Sequence, residues 1–379
     1  MIKSIDVIPL RLPVAQELKI SRGSVGTPAT GAIHILVKVT DEDRSVGWGE
    51  ARPSPRWSYE TPESVVTTIT KYLTPAIVGM GESDLVGIHR VMSTVIAPGV
   101  QIGQPIAKSA IDIALHDLVC KKLSISVQQF LGSTHVREIK LGYVISAETV
   151  DEAAKRAEEG LRKGYHGFKI KTGIHPETDL EMVREVARVG RGKYLWVDAN
   201  QGWDVETTLK FAREMAKVGV NVIEQPFAAN DVTGYQRVVE RSEVPIALDE
   251  SIYTATDLLQ FIRLKAIGGL VLKVCRVGGI FPSKEIYTIA RNEGVPLLGS
   301  GLTEGRISLT SSCHVFAAAG ITVPVDLNGP QFLADDMVEG KLEFPDQLVH
   351  VPTKPGLGVE PDERKIEKYR INFHDVFES

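Results

Sequence analysis

Three acidic residues at a regular spacing constrain the fold of this chain more than any other feature of its sequence. Asp198, Glu224 and Asp249 each follow directly on a short apolar run, and they lie 26 and 25 residues apart. Each is followed by turn residues and then by a helical pattern. Short apolar runs between helical patterns are typical of buried strands in repeated strand–helix units. The spacing therefore predicts parallel strands whose carboxyl ends bring the three acids to one place.

The same alternation extends over residues 141–327. Eight strand segments alternate with seven helical patterns, and the eighth segment has no clear helix after it. Helix starts carry capping signals, since Thr149 is followed three residues later by Glu152, and Thr178 by Glu181. This pattern predicts an α/β barrel with its functional face at the carboxyl ends of the strands. A doubly wound sheet is disfavoured, because no glycine-rich phosphate loop follows the first strand.

Residues 1–125 predict a separate α+β domain built on an antiparallel three-stranded meander. Its strands are predicted at residues 2–12, 32–40 and 46–50, and its helices at residues 61–76, 83–95 and 105–122. Two long loops flank the strands, Val14–Ala29 and Arg52–Tyr59, and the length of the first predicts a mobile loop. The barrel is predicted for residues 126–340, and the C-terminal segment 341–379 is predicted to pack back on the first domain.

Composition and charge limit the classes of partner that the protein can bind. The chain has 379 residues, of which 43% are hydrophobic and 24% charged, as in an ordinary globular protein of two domains. A net charge of -5 provides no basic surface for nucleic acid. No apolar run approaches the ~18 residues that cross a bilayer, and the first residues lack the apolar core of a secretory signal. We therefore expect a cytoplasmic protein that binds neither nucleic acid nor membrane.

The three acids are candidate ligands of a metal ion. One acid after a strand is often a solvated loop residue or a helix cap, but three at a regular spacing favour a shared role. Buried side by side, their carboxylates would repel one another and resist ionisation. Oxygen ligands with open coordination positions suit a hard divalent cation. The predicted cofactor is Mg²⁺, with Mn²⁺ as a substitute.

Lysines stand at strand ends on both sides of the acids. Lys169 and Lys171 end the strand before them, on one face of that strand because their spacing is two. Lys273 ends the strand after them, inside an apolar run. When the carboxylate of a substrate binds Mg²⁺, the proton on the carbon next to it becomes more acidic. A lysine can remove that proton to leave an enediolate. The pattern therefore predicts proton transfer next to a substrate carboxylate.

These motifs together resemble the enolase superfamily, specifically its muconate-lactonizing-enzyme subgroup, which includes muconate cycloisomerases and dipeptide epimerases. The matching motifs are Lys169-x-Lys171, Asp198-x-Asn200, Glu224-Gln225-Pro226, Asp249-Glu250-Ser251 and Lys273, and residues 107–118 resemble a helix of the family's capping domain. The resemblance covers essentially the whole chain. It implies a modified (β/α)7β TIM-type barrel with an N-terminal α+β capping domain, whose two loops close over the barrel.

The resemblance also implies roles for individual residues. Lys171 and Lys273 would be acid/base residues on opposite faces of the substrate, and Lys169 an electrostatic partner of its carboxylate. The residues that would hold the metal are Asp198, Glu224 and Asp249, supported from behind by Asn200 and Glu250. The mandelate-racemase subgroup is disfavoured, because no histidine stands at the end of the seventh strand. The family also suggests a homo-oligomer.

The ends of the last two strands and the second loop hold the candidate substrate-binding residues. Leu302-Thr303-Glu304-Gly305 resembles the Leu-Glu-Gly of muconate cycloisomerases, with one residue inserted. Asp326-Leu327-Asn328 resembles the Asp-x-Asp that dipeptide epimerases use for an α-ammonium, but Asn328 replaces the second acid. The rings of Trp57 and Tyr59 would contact a substrate cation, or else form an apolar lid.

Racemisation or epimerisation of an amino-acid derivative is the predicted reaction, because a lysine on each face can remove the proton and return it. Muconate-type cycloisomerisation is the first alternative, and dehydration by β-elimination is the second. The substrate is a small-molecule carboxylate in each case. Two other classes stay open, namely a metal-free barrel that forms a Schiff base on Lys273 and a barrel with no catalytic role.

Overall fold

The computed structural model describes residues 1–99, 102–132, 136–372 and 375–376, so parts of all three predicted ranges, 1–125, 126–340 and 341–379, lie outside the described residues. The elements of the N-terminal part are β1 Ile2–Leu12, β2 Lys19–Ile20, β3 Gly23–Ser24, β4 Ala32–Asp41, β5 Val46–Ala51, α1 Pro62–Thr67, a π-helical segment Thr68–Leu73, α2 Thr74–Ile77, α3 Leu85–Val95, α4 Pro105–Lys122 and α5 Val127–Phe130. The later elements are β6 Glu138–Lys140, β7 Gly142–Ile145, α6 Val150–Arg162, β8 Gly167–Lys171, α7 Pro176–Val189, β9 Tyr194–Asp198, α8 Val205–Lys217, β10 Val222–Glu224, α9 Val232–Arg241, β11 Ile246–Leu248, α10 Ala255–Arg263, β12 Gly269–Leu272, α11 Ile280–Asn292, β13 Leu297–Gly299, α12 Arg306–Ala319, α13 Gly329–Phe332, a 3-10 turn Pro345–Gln347, β14 Leu348–His350 and α14 Glu363–Tyr369.

The N-terminal strands form an antiparallel sheet in the order β1–β4–β5, as the alternating sequence predicts. Helix α4 lies directly on β5, because Gly47 and Gly49 carry no side chain at the contact. A Cβ atom on Gly49 would lie 1.9 Å from the carbonyl oxygen of Ala110. Helix α4 is buried on all its faces from Pro105 to Cys120, between this sheet and the barrel helix α11.

Strands β7 to β13 form one parallel sheet in sequence order. Two short pairings close it into a barrel, between Leu141 and Val325 and between Ser300 and Asp326. Backbone hydrogen bonds of 2.8 and 2.9 Å hold this seam. The predicted (β/α)7β barrel is confirmed, but the strand predicted at 322–327 is reduced to the two bridging residues.

Two predicted helices differ from the observed ones. The helix predicted at 61–76 is interrupted by the π-helical segment, where the hydroxyl group of Thr70 donates to the carbonyl oxygen four residues earlier at 2.7 Å. Thr178 lies inside α7, which begins at Pro176 because proline favours the first helical turn. Thr149 caps α6 as predicted. Among the described helices, none combines the length and apolar character needed to cross a membrane.

The C-terminal segment contacts both parts of the molecule. Strand β14 pairs antiparallel with β6, and Arg370 pairs with Leu10 of β1. These contacts agree with a segment that packs back on the N-terminal part. The domain boundaries at residues 125 and 340 stay predictions.

Two buried acids of the N-terminal part cap helices of the barrel. Asp112 of α4 accepts hydrogen bonds from the first two backbone amides of α11. Glu50 of β5 accepts hydrogen bonds from the backbone amides of Gly305 at 2.7 Å and Ser308 at 2.9 Å, at the start of α12. The first amides of a helix have no partner within it, and the helix dipole favours negative charge there. The two carboxylates therefore fix the N-terminal part on the barrel.

We predict that Asp112→Ala destabilises the protein by about 3 kcal/mol, because the buried amides of α11 and the side chain of His89 lose their shared partner. Asp84→Ala removes an exposed cap from α3 and is the matched control, with an expected cost of about 1 kcal/mol. Urea unfolding of both variants measures the difference. Equal losses would contradict the role of Asp112 in joining the two parts.

Candidate active site

Strand register brings the predicted charged residues to one level at the carboxyl end of the barrel. In the parallel pairings, Lys171 lies opposite Asp198, and Asp198 lies opposite Glu224. Asp249 directly follows β11, and Lys273 directly follows β12. The three acids are fully buried and are called the acidic row below.

Lys169 is the centre of a charge network at this end of the barrel. Its Nζ atom lies 2.7 Å from Glu224 Oε2, 2.9 Å from Asp326 Oδ2 and 3.1 Å from Asp198 Oδ2. It also lies 4.3 Å from the centre of the Trp196 ring, a cation–π contact. Burial opposes the charge, but the carboxylates outweigh it and raise the pKa of Lys169 well above its usual value. Lys169 is therefore a fixed cation, in agreement with the electrostatic role that the resemblance implies.

Lys171 and Lys273 approach the acidic row from its two ends. The Nζ atom of Lys171 donates to Asp198 Oδ2 at 2.6 Å, and that of Lys273 donates to Asp249 Oδ2 at 2.6 Å. Strand β10, which carries Glu224, lies between the strands of the two outer acids. The two ammonium groups therefore lie on opposite sides of the row.

The charges of the row are set by burial and by neighbouring cations. Burial opposes ionisation of Asp198, but two lysines outweigh it and hold the pKa of Asp198 below its usual range. Burial likewise opposes ionisation of Asp249, but Arg276 and Lys273 hold its pKa low. Burial opposes the charge of Lys273, yet Asp249 raises its pKa. Burial and the neighbouring carboxylates raise the pKa of Glu224 well above its usual value.

The acidic row has capacity to bind a further cation. Glu224 Oε1 is buried and has no hydrogen-bond partner among the described residues. A buried carboxylate oxygen without a partner is costly, and a hard divalent cation would satisfy it. In the described ranges, no three His, Cys, Asp or Glu side chains are arranged as ligands of one metal ion. Instead, the ammonium groups of the lysines lie against the acids. The donor chemistry of three carboxylates fits Mg²⁺.

Strained backbone turns orient the residues behind the row. Asn200 and Gln225 have φ angles of 43° and 37°, in the left-handed region that residues with a side chain rarely adopt. The backbone amide of Asn200 donates to Asp198 Oδ1 at 2.9 Å, and its side-chain amide donates to Glu250 Oε1 at 3.4 Å. Gln225 Oε1 accepts a hydrogen bond from the backbone amide of Asp249 at 2.8 Å. Such strain is typical of functional sites, and here it positions the predicted supporting residues.

Asp326 is fully engaged by the protein itself. Its Oδ2 atom pairs with Lys169 and accepts a hydrogen bond from the hydroxyl group of Ser300 at 3.1 Å. Its Oδ1 atom accepts a hydrogen bond from the side-chain amide of Asn328 at 2.8 Å. A substrate ammonium would have to displace these partners. Asp326 and Asn328 thus lie within the charge network, and their role in binding a substrate ammonium stays a prediction.

Glu304 is buried at the end of the seventh strand. It accepts a hydrogen bond from the thiol of Cys275 at 3.2 Å, and burial raises the pKa of the Glu304 carboxyl group. Gly301 leaves room for this side chain, since a Cβ atom there would lie 2.2 Å from Glu304 Oε2. Because Cys275 follows Lys273 by two residues, Glu304 lies close to one end of the acidic row.

The two aromatic residues of the second loop have different surroundings. Trp57 packs against a cluster of Leu18, Val144 and Phe332, which joins both loops to the barrel. Tyr59 is 48% exposed, and its ring is not part of the charge network. The Trp57 ring also lies 5.7 Å from the guanidinium carbon of Arg52, so its role as an apolar lid or as a contact for a substrate cation stays a prediction.

A cavity of about 260 Å³ lies beside Lys171, between the first loop and the barrel. The hydroxyl group of Ser21 donates to the carbonyl oxygen of Asn200 at 3.0 Å. The hydroxyl group of Ser146 donates to the carbonyl oxygen of Lys19 at 2.8 Å. The first loop therefore lies over the barrel mouth and bounds the space beside Lys171.

Arg276 belongs to the charge network, although the strand-end pattern does not reveal it. Its Nη1 atom lies 2.5 Å from Asp249 Oδ1 and 4.0 Å from Glu250 Oε2. It follows Lys273 by three residues, in a loop where an arginine is ordinarily exposed. The signal in the sequence is its position in an otherwise apolar run from Val271 to Val277.

Family models match both parts of the chain. A model described as mandelate racemase / muconate lactonizing enzyme, N-terminal domain, matches residues 4–132. A model described as enolase C-terminal domain-like matches residues 150–365. Together they cover more than half of the chain.

Three relatives illustrate the range of similar proteins. N-succinyl-L-Arg/Lys racemase of Bacillus cereus is 29% identical over 377 residues, which are 99% of each chain. Its crystal structure superposes with a TM-score of 0.91 at 28% identity over 98% of each chain. Chloromuconate cycloisomerase of Cupriavidus necator is 29% identical over 97% of this chain and 98% of its own. Dipeptide epimerase of Enterococcus faecalis, complexed with Mg and the dipeptide L-Leu-L-Tyr, has a TM-score of 0.88 at 26% identity over 95% of this chain and 99% of its own.

We expect Asp249→Asn to weaken Mg²⁺ binding by about 10-fold or more, because the acidic row loses one ligand charge. Asp204→Asn is the matched control, since Asp204 caps α8 outside the charge network and asparagine caps a helix equally well. Isothermal titration with Mg²⁺ measures both variants. Unchanged affinity in the Asp249 variant would show that the row is not the metal site.

Proposed function

The chain belongs to the mandelate racemase / muconate lactonizing enzyme family of the enolase superfamily, and on this premise we propose that it racemises or epimerises an N-acylated amino acid. It is an isomerase, as its relatives are. The two other classes, a metal-free barrel that forms a Schiff base and a barrel with no catalytic role, are therefore set aside. The proposed reaction removes the proton α to a carboxylate with Mg²⁺ present, passes through an enediolate, and returns a proton on either face. The observation that supports it most is the approach of Lys171 and Lys273 to the acidic row from opposite ends.

Each of these two lysines removes the α-proton from one enantiomer of the substrate. With the substrate α-carbon between them, one lysine in its amine form removes the α-proton, and the other as an ammonium gives a proton to the opposite face. Lys169 holds a fixed positive charge beside the substrate carboxylate. When bound, Mg²⁺ stabilises the negative charge that develops on that carboxylate. The residues that would hold it are Asp198, Glu224 and Asp249, oriented by Asn200 and Glu250.

An acylated amine fits this site better than a free α-ammonium. Asp326, the acid that would bind an ammonium, is already paired with Lys169 and hydrogen-bonded by Asn328. The printed name of the Bacillus cereus relative specifies an N-succinyl substrate, whose amide nitrogen carries no charge. Both observations favour an N-acylated amino acid over a dipeptide with a free amino terminus.

Muconate-type cycloisomerisation is the second candidate function. The cycloisomerase relative is 29% identical, as is the racemase. Glu304 supports this alternative, because it is a buried carboxyl group in the stretch that resembles the cycloisomerase motif. In that reaction Lys171 would move a proton beside the carboxylate of an unsaturated diacid, and a lactone would form. Dehydration by β-elimination follows as a third candidate.

In D₂O with Mg²⁺, we expect N-acylated amino acids to exchange their α-proton for deuterium and to racemise. Lys171→Ala and Lys273→Ala are each expected to lose racemisation by about 10³-fold, because one face loses its proton carrier. Each variant is expected to keep α-proton exchange for one enantiomer only, and the retained enantiomer differs between the two. Proton NMR and polarimetry measure exchange and racemisation.

The matched control is Lys163→Ala, directly after α6, whose lysine is exposed and pairs with Glu159, and it is expected to keep full activity. Full racemisation by Lys273→Ala would contradict the two-lysine scheme. Formation of a lactone from muconates, with no exchange of amino-acid derivatives, would favour the cycloisomerase instead.

We also propose a cytoplasmic location and a homo-oligomeric state. The oligomeric state follows from the family alone, and both stay predictions.

A further inference from the structure

Arg52 is a buried cation that has no ion-pair partner among the described residues. It is 4% exposed, and burial lowers its pKa to about 10. Its Nη atoms donate to the carbonyl oxygens of Pro53 at 2.7 Å and Val25 at 3.0 Å. Its Nε atom has no partner in the described part of the chain. A buried guanidinium in this state is costly, and a carboxylate matches its planar set of donors.

Three further buried groups that can donate a hydrogen bond have no partners in the described ranges, and each shares a cavity or a ring contact with Arg52. They are the hydroxyl groups of Ser24 and Thr303 and the indole nitrogen of Trp57, whose ring centre lies 5.7 Å from the guanidinium carbon. Arg52 and Ser24 line a cavity of about 740 Å³ between the two loops. Arg52 and Thr303 line a small cavity of about 10 Å³ on the barrel side. A cluster of donors around a cation fits an anion.

This donor cluster faces the barrel. Glu50 and Arg52 are two residues apart at the end of β5, so their side chains share one face, and Glu50 contacts the start of α12. Thr303 directly precedes Glu304. Glu304 in turn accepts a hydrogen bond from the cysteine two residues after Lys273. The cluster therefore lies near the Lys273 end of the acidic row.

We propose that Arg52, with the hydroxyl groups of Ser24 and Thr303, binds a second carboxylate at the far end of the substrate. The inference rests on the proposed function, since it specifies the acyl group of the N-acylated amino acid as one that ends in a carboxylate. The substrate is then a dianion, with one carboxylate at the acidic row and the other at Arg52. Arg52 would be a specificity-determining residue that distinguishes acyl groups with a charged end from those with a neutral end.

Binding of N-succinyl-2-aminoisobutyrate tests this inference without turnover, because that compound has no α-proton. Its neutral counterpart carries an amide in place of the distal carboxylate. With Mg²⁺ present, the wild-type protein is expected to bind the dianion about 10-fold more tightly than the neutral compound. Arg52→Gln is expected to abolish this preference. Arg52→Lys is expected to keep part of it, because lysine retains the charge but not the planar donors. Isothermal titration measures each affinity.

Arg213→Gln is the matched control and is expected to keep the preference, since Arg213 is exposed on α8 and lines neither cavity beside Arg52. Equal binding of the two compounds by the wild type would overturn the anion site, and so would equal effects of Arg52→Gln and Arg213→Gln. A preference that depends on Arg52, without α-proton exchange in any N-acylated amino acid, would support the site and contradict the proposed reaction. Exchange without any charge preference would support the reaction and overturn the site.

Discussion

The ion pairs buried in the barrel mouth are the constraint on which the rest of the structure depends. Lys169 alone holds three carboxylates within 3.1 Å, while Lys171, Lys273 and Arg276 pair with the two outer acids of the row. Buried charges are costly unless they are paired, so the strand register and the strained turns behind the row must agree for this site to form. Four cations face five carboxylates in the network, since Glu250 also lies 4.0 Å from Arg276.

The same constraint explains which parts could be predicted from the sequence. Asp198, Glu224 and Asp249 can be located because each ends a buried strand, and a closed parallel barrel gathers strand ends by its geometry alone. The apolar run around Arg276 indicates that it is buried but not which acids it pairs with, and no local pattern indicates the burial of Arg52, because both depend on contacts between distant segments. The loop that carries Arg276 leads into α11, whose first amides are capped by Asp112 from the N-terminal part. The π-helical interruption and the shortened eighth strand likewise depend on tertiary packing, which local sequence patterns do not encode.

The residues proposed for proton transfer and those proposed to select the substrate lie in different parts of the molecule. The barrel supplies the carboxylates and lysines that the proposed proton transfer needs, and Asp326 reinforces this network rather than offering a free acid to a substrate amine. Under the proposed function, substrate choice falls to the two loops of the N-terminal part, one bounding the cavity beside Lys171 and the other carrying Arg52.

The most direct test of the account is a crystal structure of the protein with Mg²⁺ and N-succinyl-2-aminoisobutyrate. The account predicts oxygen atoms of Asp198, Glu224 and Asp249 at about 2.1 Å from the metal, the distance typical of Mg²⁺. It also predicts the Nζ atoms of Lys171 and Lys273 on opposite sides of the ligand α-carbon. A metal bound away from the acidic row, or both lysines on one side of that carbon, would contradict it.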